Sequence, residues 1–150
     1  FINNTFVHRD FHASNIMINK KAFGLVDSQD AIIGNPLYDV ASLIDDVRIK
    51  LPINLQNKLL KFYHSKSNLK RENYQNLKND YDILSVQRNL KILGIFVRLS
   101  KRDNKSTYLK YLPHTWSLIN RRLKNPIFKN FQLLLNKHVK IKKLKKINTL

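Results

Sequence analysis

His8-Arg9-Asp10-Phe11-His12-Ala13-Ser14-Asn15, followed by Asp27, is the stretch on which the reading of this fold turns. An acid at 10, an amide at 15 and a second acid at 27 put three oxygen-bearing side chains in a short span. Between Asn15 and Asp27 lie two apolar runs, Ile16-Met17-Ile18 and Phe23-Gly24-Leu25-Val26, separated by Asn19-Lys20-Lys21-Ala22. Runs of this length around a short polar segment predict a β-hairpin. An antiparallel hairpin returns the chain to its starting end, so Asn15 and Asp27 are expected side by side. Hard oxygen donors gathered there suit Mg²⁺, which takes one or two carboxylates and keeps its other positions for water and phosphate.

Upstream, Thr5-Phe6-Val7 is a short apolar lead-in. Downstream, residues 28–36 read as loop, punctuated by Gly34-Asn35-Pro36. Val40, Leu43, Ile44 and Val47 follow i, i+3, i+4, i+7 and predict a helix that Pro52 interrupts. Leu55, Leu59, Phe62 and Tyr63 predict a second helix, and 65–73 a polar loop. A long helix is expected over 74–99, carried by Leu77, Tyr81, Leu84, Ile92, Ile95, Phe96 and Leu99, with Gly94 marking a close packing point. Another is expected over 106–123, with Pro113 as a kink or early boundary. Pro126 would open a last helix with Ile127, Phe131, Leu134 and Leu135 as its apolar stripe. The predicted class is α+β, mostly α: a small β-hairpin plus four or five helices, with too few strands for a central sheet. One domain is expected over 1–136, and a basic tail with six lysines in its first ten residues over 137–150.

Composition sets bounds. A chain of 150 residues, 43% hydrophobic, is long and apolar enough for one domain with a core. There is no cysteine, which excludes disulfide frameworks, thiolate zinc sites and cysteine nucleophiles. No apolar run approaches the ~20 residues that span a bilayer, so no membrane partner is expected. Phe1-Ile2-Asn3-Asn4 has neither an initiator Met nor a signal-peptide pattern, as expected of a truncated chain, and a cytoplasmic location is expected. The net charge of +18 is uneven: residues 1–46 hold three bases and six acids, the other 104 hold 25 bases and four acids. A basic nucleic-acid-binding module is the rival reading, with Tyr108, Tyr111 and Trp116 as stacking surfaces. The spread of the bases favours solvated helix faces instead, and these aromatics fall on a predicted helix, where they pack.

The residues at 10, 15 and 27 fit phosphoryl transfer. That reaction asks a protein for positioning, a carboxylate that accepts the proton of the attacking hydroxyl, and cations beside the phosphate oxygens. Asp10 is the candidate base; Asn15 and Asp27 are the candidate metal ligands. A competing metal reading uses His8, Asp10 and His12, which would share one face of a strand and bind zinc. It leaves Asn15, Asp27 and the hairpin unexplained. His8 also has a structural reading, an imidazole bonded to backbone near the loop. His12 has the same reading or, from inside the loop, a role toward substrate or phosphate.

The spacing H-R-D-x-x-x-x-N resembles a kinase catalytic loop. Together with Gly24-Leu25-Val26-Asp27-Ser28-Gln29-Asp30-Ala31 and Gly34-Asn35-Pro36-Leu37-Tyr38-Asp39-Val40-Ala41-Ser42-Leu43, it resembles the aminoglycoside phosphotransferase superfamily. Within it the chain is most similar to the bacterial cell-wall sugar kinases, the N-acetylmuramate/N-acetylglucosamine anomeric kinases. Arg9 points to that branch, since the aminoglycoside enzymes usually carry His-Gly-Asp. Gln87-Arg88-Asn89-Leu90-Lys91-Ile92-Leu93-Gly94-Ile95-Phe96-Val97-Arg98-Leu99, with Tyr111-Leu112-Pro113, is similar to it too. The resemblance extends to about residue 125 and leaves out the basic tail.

The resemblance implies the C-terminal lobe of a protein-kinase-like fold without its N-terminal lobe, ATP and Mg as cofactors, and an amino sugar as the small-molecule substrate. Aminoglycoside and choline-type kinases share the same core residues and are the alternatives. It implies Asp10 as catalytic base and Asn15 and Asp27 as magnesium ligands that hold the nucleotide. Asp39 would be a buried structural carboxylate holding the catalytic-loop backbone. Gln29 and Asp30 would lie beside the metal and meet the sugar, with loop capping the alternative for Asp30. Ser28 departs from the branch, whose members more often carry an aromatic there. Neither a Gly-rich loop nor a V-A-I-K lysine occurs in the chain, so these residues alone are expected not to turn over ATP at a useful rate. A degenerate scaffold is a further reading, against which the intact Asp10, Asn15 and Asp27 argue.

Overall fold

The computed structural model describes residues 3–20 and 22–139. In chain order the elements are β1 (Thr5–Val7), β2 (Ile16–Asn19), β3 (Ala22–Leu25), β4 (Ile32–Gly34), α1 (Leu37–Ile44), α2 (Ile53–Lys66), α3 (Tyr74–Asp103), α4 (Leu112–Arg122) and α5 (Lys129–His138). Short 3-10 segments occupy Ala13–Asn15, Asn68–Arg71, Ser106–Tyr111 and Pro126–Phe128. The strands form two antiparallel pairs, β2 with β3 and β1 with β4. This is the α+β, mostly α class expected of a piece of a kinase-like fold. The chain divides into two units, Phe1–Ser85 and Val86–Leu150, the boundary falling inside α3.

In the first unit β2 and β3 make the expected hairpin, with Ile16 opposite Leu25 and Ile18 opposite Phe23. The pairing of β1 with β4 was not expected, because 28–36 reads as loop; Thr5 faces Gly34 and Val7 faces Ile32. Three residues are too few to display a two-residue alternation, and both isoleucines of β4 are exposed, so no hydrophobic pattern marked it.

The core of this unit is helical. Leu37, Ala41 and Ile44 of α1, Leu60 of α2, and Leu77, Tyr81 and Leu84 of α3 form one buried cluster. In both α1 and α3 the buried set repeats at i, i+4, i+7, the spacing of one helix face. Each large side chain contributes roughly 1.5–3 kcal/mol by leaving water. α1 ends at Ile44, short of Val47, which is nevertheless buried. The Asp46 side chain takes the Arg48 amide at 2.9 Å, a local bond that competes with helix propagation. Along α2 the buried positions are Gln56 and Leu60, while Leu55 and Phe62 of the expected stripe are exposed. Pro52 stands at the start of α2 rather than inside a helix, and its carbonyl accepts the Gln56 amide. The 65–73 segment contains a 3-10 turn, capped by the Ser67 hydroxyl on the Leu69 amide.

One polar link binds α3 into this unit and another lies along α3 itself. Ser85 Oγ donates to Asp45 Oδ2 at 2.5 Å, and Lys78 pairs with Asp82 one turn away, also at 2.5 Å.

In the second unit Phe96 stacks on Tyr108, with ring centroids 5.5 Å apart, and lies 5.9 Å from Tyr111. Two of the aromatics that a nucleic-acid reading would use are therefore packed against Phe96. Pro113 stands in the first turn of α4, the early boundary rather than a kink. Asn125 caps the turn begun by Pro126, its side chain accepting from the Ile127 amide. Gly94 marks no close packing: it is exposed, and a Cβ added there would meet nothing within 4 Å. Lys137 and His138, read as the start of a tail, close α5; the tail from 140 to 150 lies outside the described residues.

Candidate active site

β1 delivers the chain to His8, and the β1–β4 pair brings the first turn of α1 beside it. Asn35 starts that turn, its side-chain oxygen accepting the Leu37 amide at 2.9 Å. Asp39 then uses both carboxylate oxygens on the loop: Oδ2 accepts from His8 N at 2.6 Å and Oδ1 from Arg9 N at 2.9 Å. Asp39 is half-buried rather than fully buried. Two backbone donors on one carboxylate fix the loop through charge-assisted bonds, roughly twice as strong as neutral ones.

The bond to Asp39 accompanies an unusual backbone. Arg9 has φ 72° and Asp27 has φ 70°, both left-handed; Asn104 is the third such non-glycine residue described. Left-handed geometry at a residue with a Cβ costs about 1–2 kcal/mol and persists where the surroundings enforce it. Arg9 is further tied by its Nη1 donating to Asp30 O at 3.2 Å.

His8 is 1% exposed, and its Nε2 lies 3.0 Å from Val26 O. A carbonyl only accepts, so Nε2 carries the proton. The ring thus holds the last residue before Asp27, which is the structural reading of this histidine. The zinc arrangement fails on its premise. β1 ends at Val7 and Arg9 is left-handed, so His8, Asp10 and His12 do not alternate along a strand. Among the described residues no three His, Asp or Glu side chains form a metal-holding group.

The 10–15 loop closes on itself. Asp10 O accepts from His12 N at 3.0 Å and from Asn15 Nδ2 at 3.0 Å, and His12 O accepts from Asn15 N at 2.9 Å. Val26 N donates to Asn15 O at 3.1 Å, one step beyond the Ile16–Leu25 pair, so Asp27 leaves the hairpin next to Asn15. Asn15 and Asp27 are therefore brought together as the hairpin predicts. Gln29 Nε2 donates to Asp27 Oδ1 at 2.6 Å. Asp10, Asp27, Gln29 and Asp30 are exposed, Asn15 is half-buried and His12 is buried.

The donor set fits Mg²⁺. With Asn15 Nδ2 committed to Asp10 O, its Oδ1 is left as an acceptor, and Asp27 keeps Oδ2 beyond the bond from Gln29. An amide oxygen and a carboxylate oxygen are the hard ligands this ion takes. Asp10 presents its carboxylate to solvent while its carbonyl anchors the loop.

A separate apolar cleft of about 640 Å³ is lined by Phe6, Phe11, Leu25, Val40, Leu43 and Phe62 among others. His8 and Asp39 line it, but Asp10, Asn15 and Asp27 do not. Tyr63 also lines it; burial first, then the Asp39 charge, push its phenol above the ordinary range and keep it neutral.

Sequence reasoning missed the β1–β4 pairing and the left-handed Arg9 and Asp27. The only local signal for the first is the Asn35-Pro36 start of α1, which fixes where Asp39 must fall.

Comparison with known proteins bears on the same residues. The model of the phosphotransferase enzyme family matches residues 3–78, which include every side chain of the site. The chain is 34% identical to the N-acetylmuramate/N-acetylglucosamine kinase of Pseudomonas aeruginosa, over 72% of this chain and 33% of the relative. It is 32% identical to the enzyme of that name from Neisseria meningitidis, over 77% and 36%. With the Caulobacter vibrioides kinase of the same name it shares 26% identity over 91% and 38%. The chain spans about a third of the length of the relatives it matches. By the match of its site-bearing half, this chain belongs to the phosphotransferase enzyme family.

Proposed function

We propose that the protein carrying this chain is an ATP- and Mg-dependent kinase that phosphorylates a hydroxyl of an amino sugar in cell-wall recycling. The observation that carries the reading is the closed loop in which Asn15 Nδ2 bonds Asp10 O while Val26 N bonds Asn15 O. That closure supports one base and two metal ligands acting on a common point. On this reading Asp10 accepts the proton of the sugar hydroxyl as it attacks. Asn15 and Asp27 hold Mg²⁺, which when bound neutralises charge on the phosphate oxygens. His8 and Asp39 position the loop rather than react. Gln29 and Asp30, exposed beside Asp27, meet the sugar, and His12 lines the loop from its buried side. The kinase-like lobe runs through α5, which ends at His138, rather than stopping at 136, and the lysine-rich sequence beyond it is the basic tail. The location is cytoplasmic, where ATP is available; among the described residues no helix is long and apolar enough to cross a membrane.

The amino sugar is favoured by the names of the relatives, N-acetylmuramate/N-acetylglucosamine kinase. The test is phosphorylation by the full-length protein of N-acetylglucosamine, N-acetylmuramate, an aminoglycoside and choline, each with Mg-ATP. Turnover confined to the amino sugars is expected; turnover of choline or the aminoglycoside alone would overturn the substrate. Asp10→Asn should cut kcat about 10²–10⁴-fold with folding intact. A variant that keeps the wild-type rate would remove Asp10 from the mechanism. By themselves these 150 residues are expected to show no steady-state turnover, since the motifs that clamp nucleotide phosphates are not among them.

A further inference from the structure

Arg9 carries a long charged side chain on a left-handed backbone, φ 72°, where glycine is the favoured residue. The bond from its amide to Asp39 fixes that backbone and would serve a glycine equally, so it gives the side chain no purpose. The side chain is half-buried, and its Nη1 donates to Asp30 O at 3.2 Å.

The turn that Arg9 reaches, residues 27–31, is anchored at both ends. On the near side His8 Nε2 bonds Val26 O at 3.0 Å and Val26 N donates to Asn15 O at 3.1 Å. On the far side Ile32 pairs with Val7. Within the turn Ala31 N donates to Ser28 O at 3.0 Å and Gln29 Nε2 to Asp27 Oδ1 at 2.6 Å. Among the described residues, Arg9 supplies the one side-chain hydrogen bond that enters the turn from outside. Two exposed side chains ride on the middle of it, Gln29 and Asp30. With Nε2 committed to Asp27, Gln29 keeps Oε1 as an acceptor. Asp30 keeps its carboxylate, because Arg9 takes the backbone carbonyl. Both offer acceptors, the complement of the hydroxyl and amide N–H donors of an amino sugar.

We propose that Arg9 is a positioning residue for the phosphoryl acceptor: its guanidinium clasps the 27–31 turn through Asp30 O and so fixes where Gln29 and Asp30 stand. The proposal rests on the reading, given above, that these two side chains meet the sugar. Asp27 follows a residue anchored separately by His8 and Asn15, so loss of the clasp disturbs acceptor binding more than metal binding or proton transfer.

The experiment compares full-length wild type with Arg9→Gly, Arg9→Ala and Arg9→Lys by steady-state kinetics, amide exchange and thermal melts. Arg9→Gly should raise KM for the amino sugar about tenfold, the ~1.4 kcal/mol of one hydrogen bond, with kcat and the KM for ATP within about threefold of wild type. Exchange at the Ala31 amide should accelerate, while the Asn15 amide, bonded to His12 O, keeps its protection. The melting midpoint should hold, because glycine relieves the left-handed backbone as the bond is lost. Arg9→Ala keeps the backbone cost without the bond, so it should share the KM effect and melt lower. Arg9→Lys still brings an N–H donor to Asp30 O and should return KM to within about threefold of wild type. A glycine variant with wild-type KM and unchanged Ala31 exchange would overturn the proposal. So would a fall in kcat at constant KM, which would place the effect on Asp10. A rise confined to the KM for ATP would put the guanidinium on phosphate and overturn it too. If the wild type phosphorylates choline or an aminoglycoside instead, the substrate reading fails, and the KM for that acceptor decides the role of Arg9 by the same criteria.

Discussion

Two parts of the first unit are built by different physics. Among the described residues of 3–34 only Val7, His8 and His12 are buried, while Phe6, Ile18, Phe23 and Ile33 stand 59–79% exposed. Across the helices from Leu37 to Ser85 a continuous cluster of seven buried side chains is packed. The helices are held by burial, which is non-directional and tolerates small shifts. The strand-and-loop part is held by directional bonds that end on α1 and on its own backbone. A site that must place oxygen atoms gains from the second kind of support, because a hydrogen bond specifies an angle and a distance and a greasy contact does not.

The sharpest way to break that contrast is Asp39→Ala. It removes the acceptor for both His8 N and Arg9 N. At about 1.5–3 kcal/mol for each bond to a charged group, roughly 3–6 kcal/mol of loop anchoring goes. Amide exchange at His8 and Arg9 should accelerate far more than exchange in the α1 and α3 core. On the proposed function, kcat should fall at least about a hundredfold, since a loop displaced by an ångström loses that much. Uniform acceleration of exchange across the unit would mean that the two parts are not separately supported. Leu60→Ala tests the other side. Leu60 is 2% exposed, and its loss should cost about 2–5 kcal/mol, seen as a lower midpoint in urea with little local change at His8.

The same division explains what the sequence made legible. The helices were readable because burial imposes a period: Leu77, Tyr81 and Leu84 lie one face apart. Even so, the face was misjudged where apolar residues surround the helix. α2 buries Gln56 and Leu60 and leaves Leu55 and Phe62 outside, since Phe62 lines the open cleft instead of the core. α1 stopped before Val47 because a local side-chain bond at Asp46 outcompeted a pattern that still marked a buried residue. At the site, the hairpin and the meeting of Asn15 with Asp27 followed from two apolar runs and their spacing. The β1–β4 pair and the left-handed Arg9 and Asp27 did not. The left-handed Arg9 is held by Asp39, some thirty residues away in sequence, and no local propensity predicts a strained backbone that a distant carboxylate enforces.

His8→Phe is a smaller perturbation at the boundary between the two parts. It keeps an aromatic ring in a buried position and removes only the donor to Val26 O. The cost is expected to be about 1–3 kcal/mol, the penalty for a carbonyl that loses its partner. The change should loosen the backbone at Val26 and Asp27 and, on the proposed function, raise the Mg²⁺ concentration needed for half-maximal activity, with little effect on thermal stability of the helices. A variant whose metal requirement matches wild type would show that this imidazole does not position Asp27.

Gly94→Ala is the smallest test and runs in the opposite direction. Arg9 and Asp27 carry side chains where the backbone favours glycine, whereas Gly94 sits in the body of α3, where the backbone favours a side chain. It is exposed and a Cβ would meet nothing, so the substitution gains helix propensity without a clash. Stability should rise by up to about 1 kcal/mol, read as a shift of the melting midpoint by a few degrees. A loss of stability would point to a neighbour that closes on Gly94 in the full-length protein. The close-packing role expected from the sequence would then be restored. An unchanged midpoint with altered activity would instead place a need for flexibility in α3.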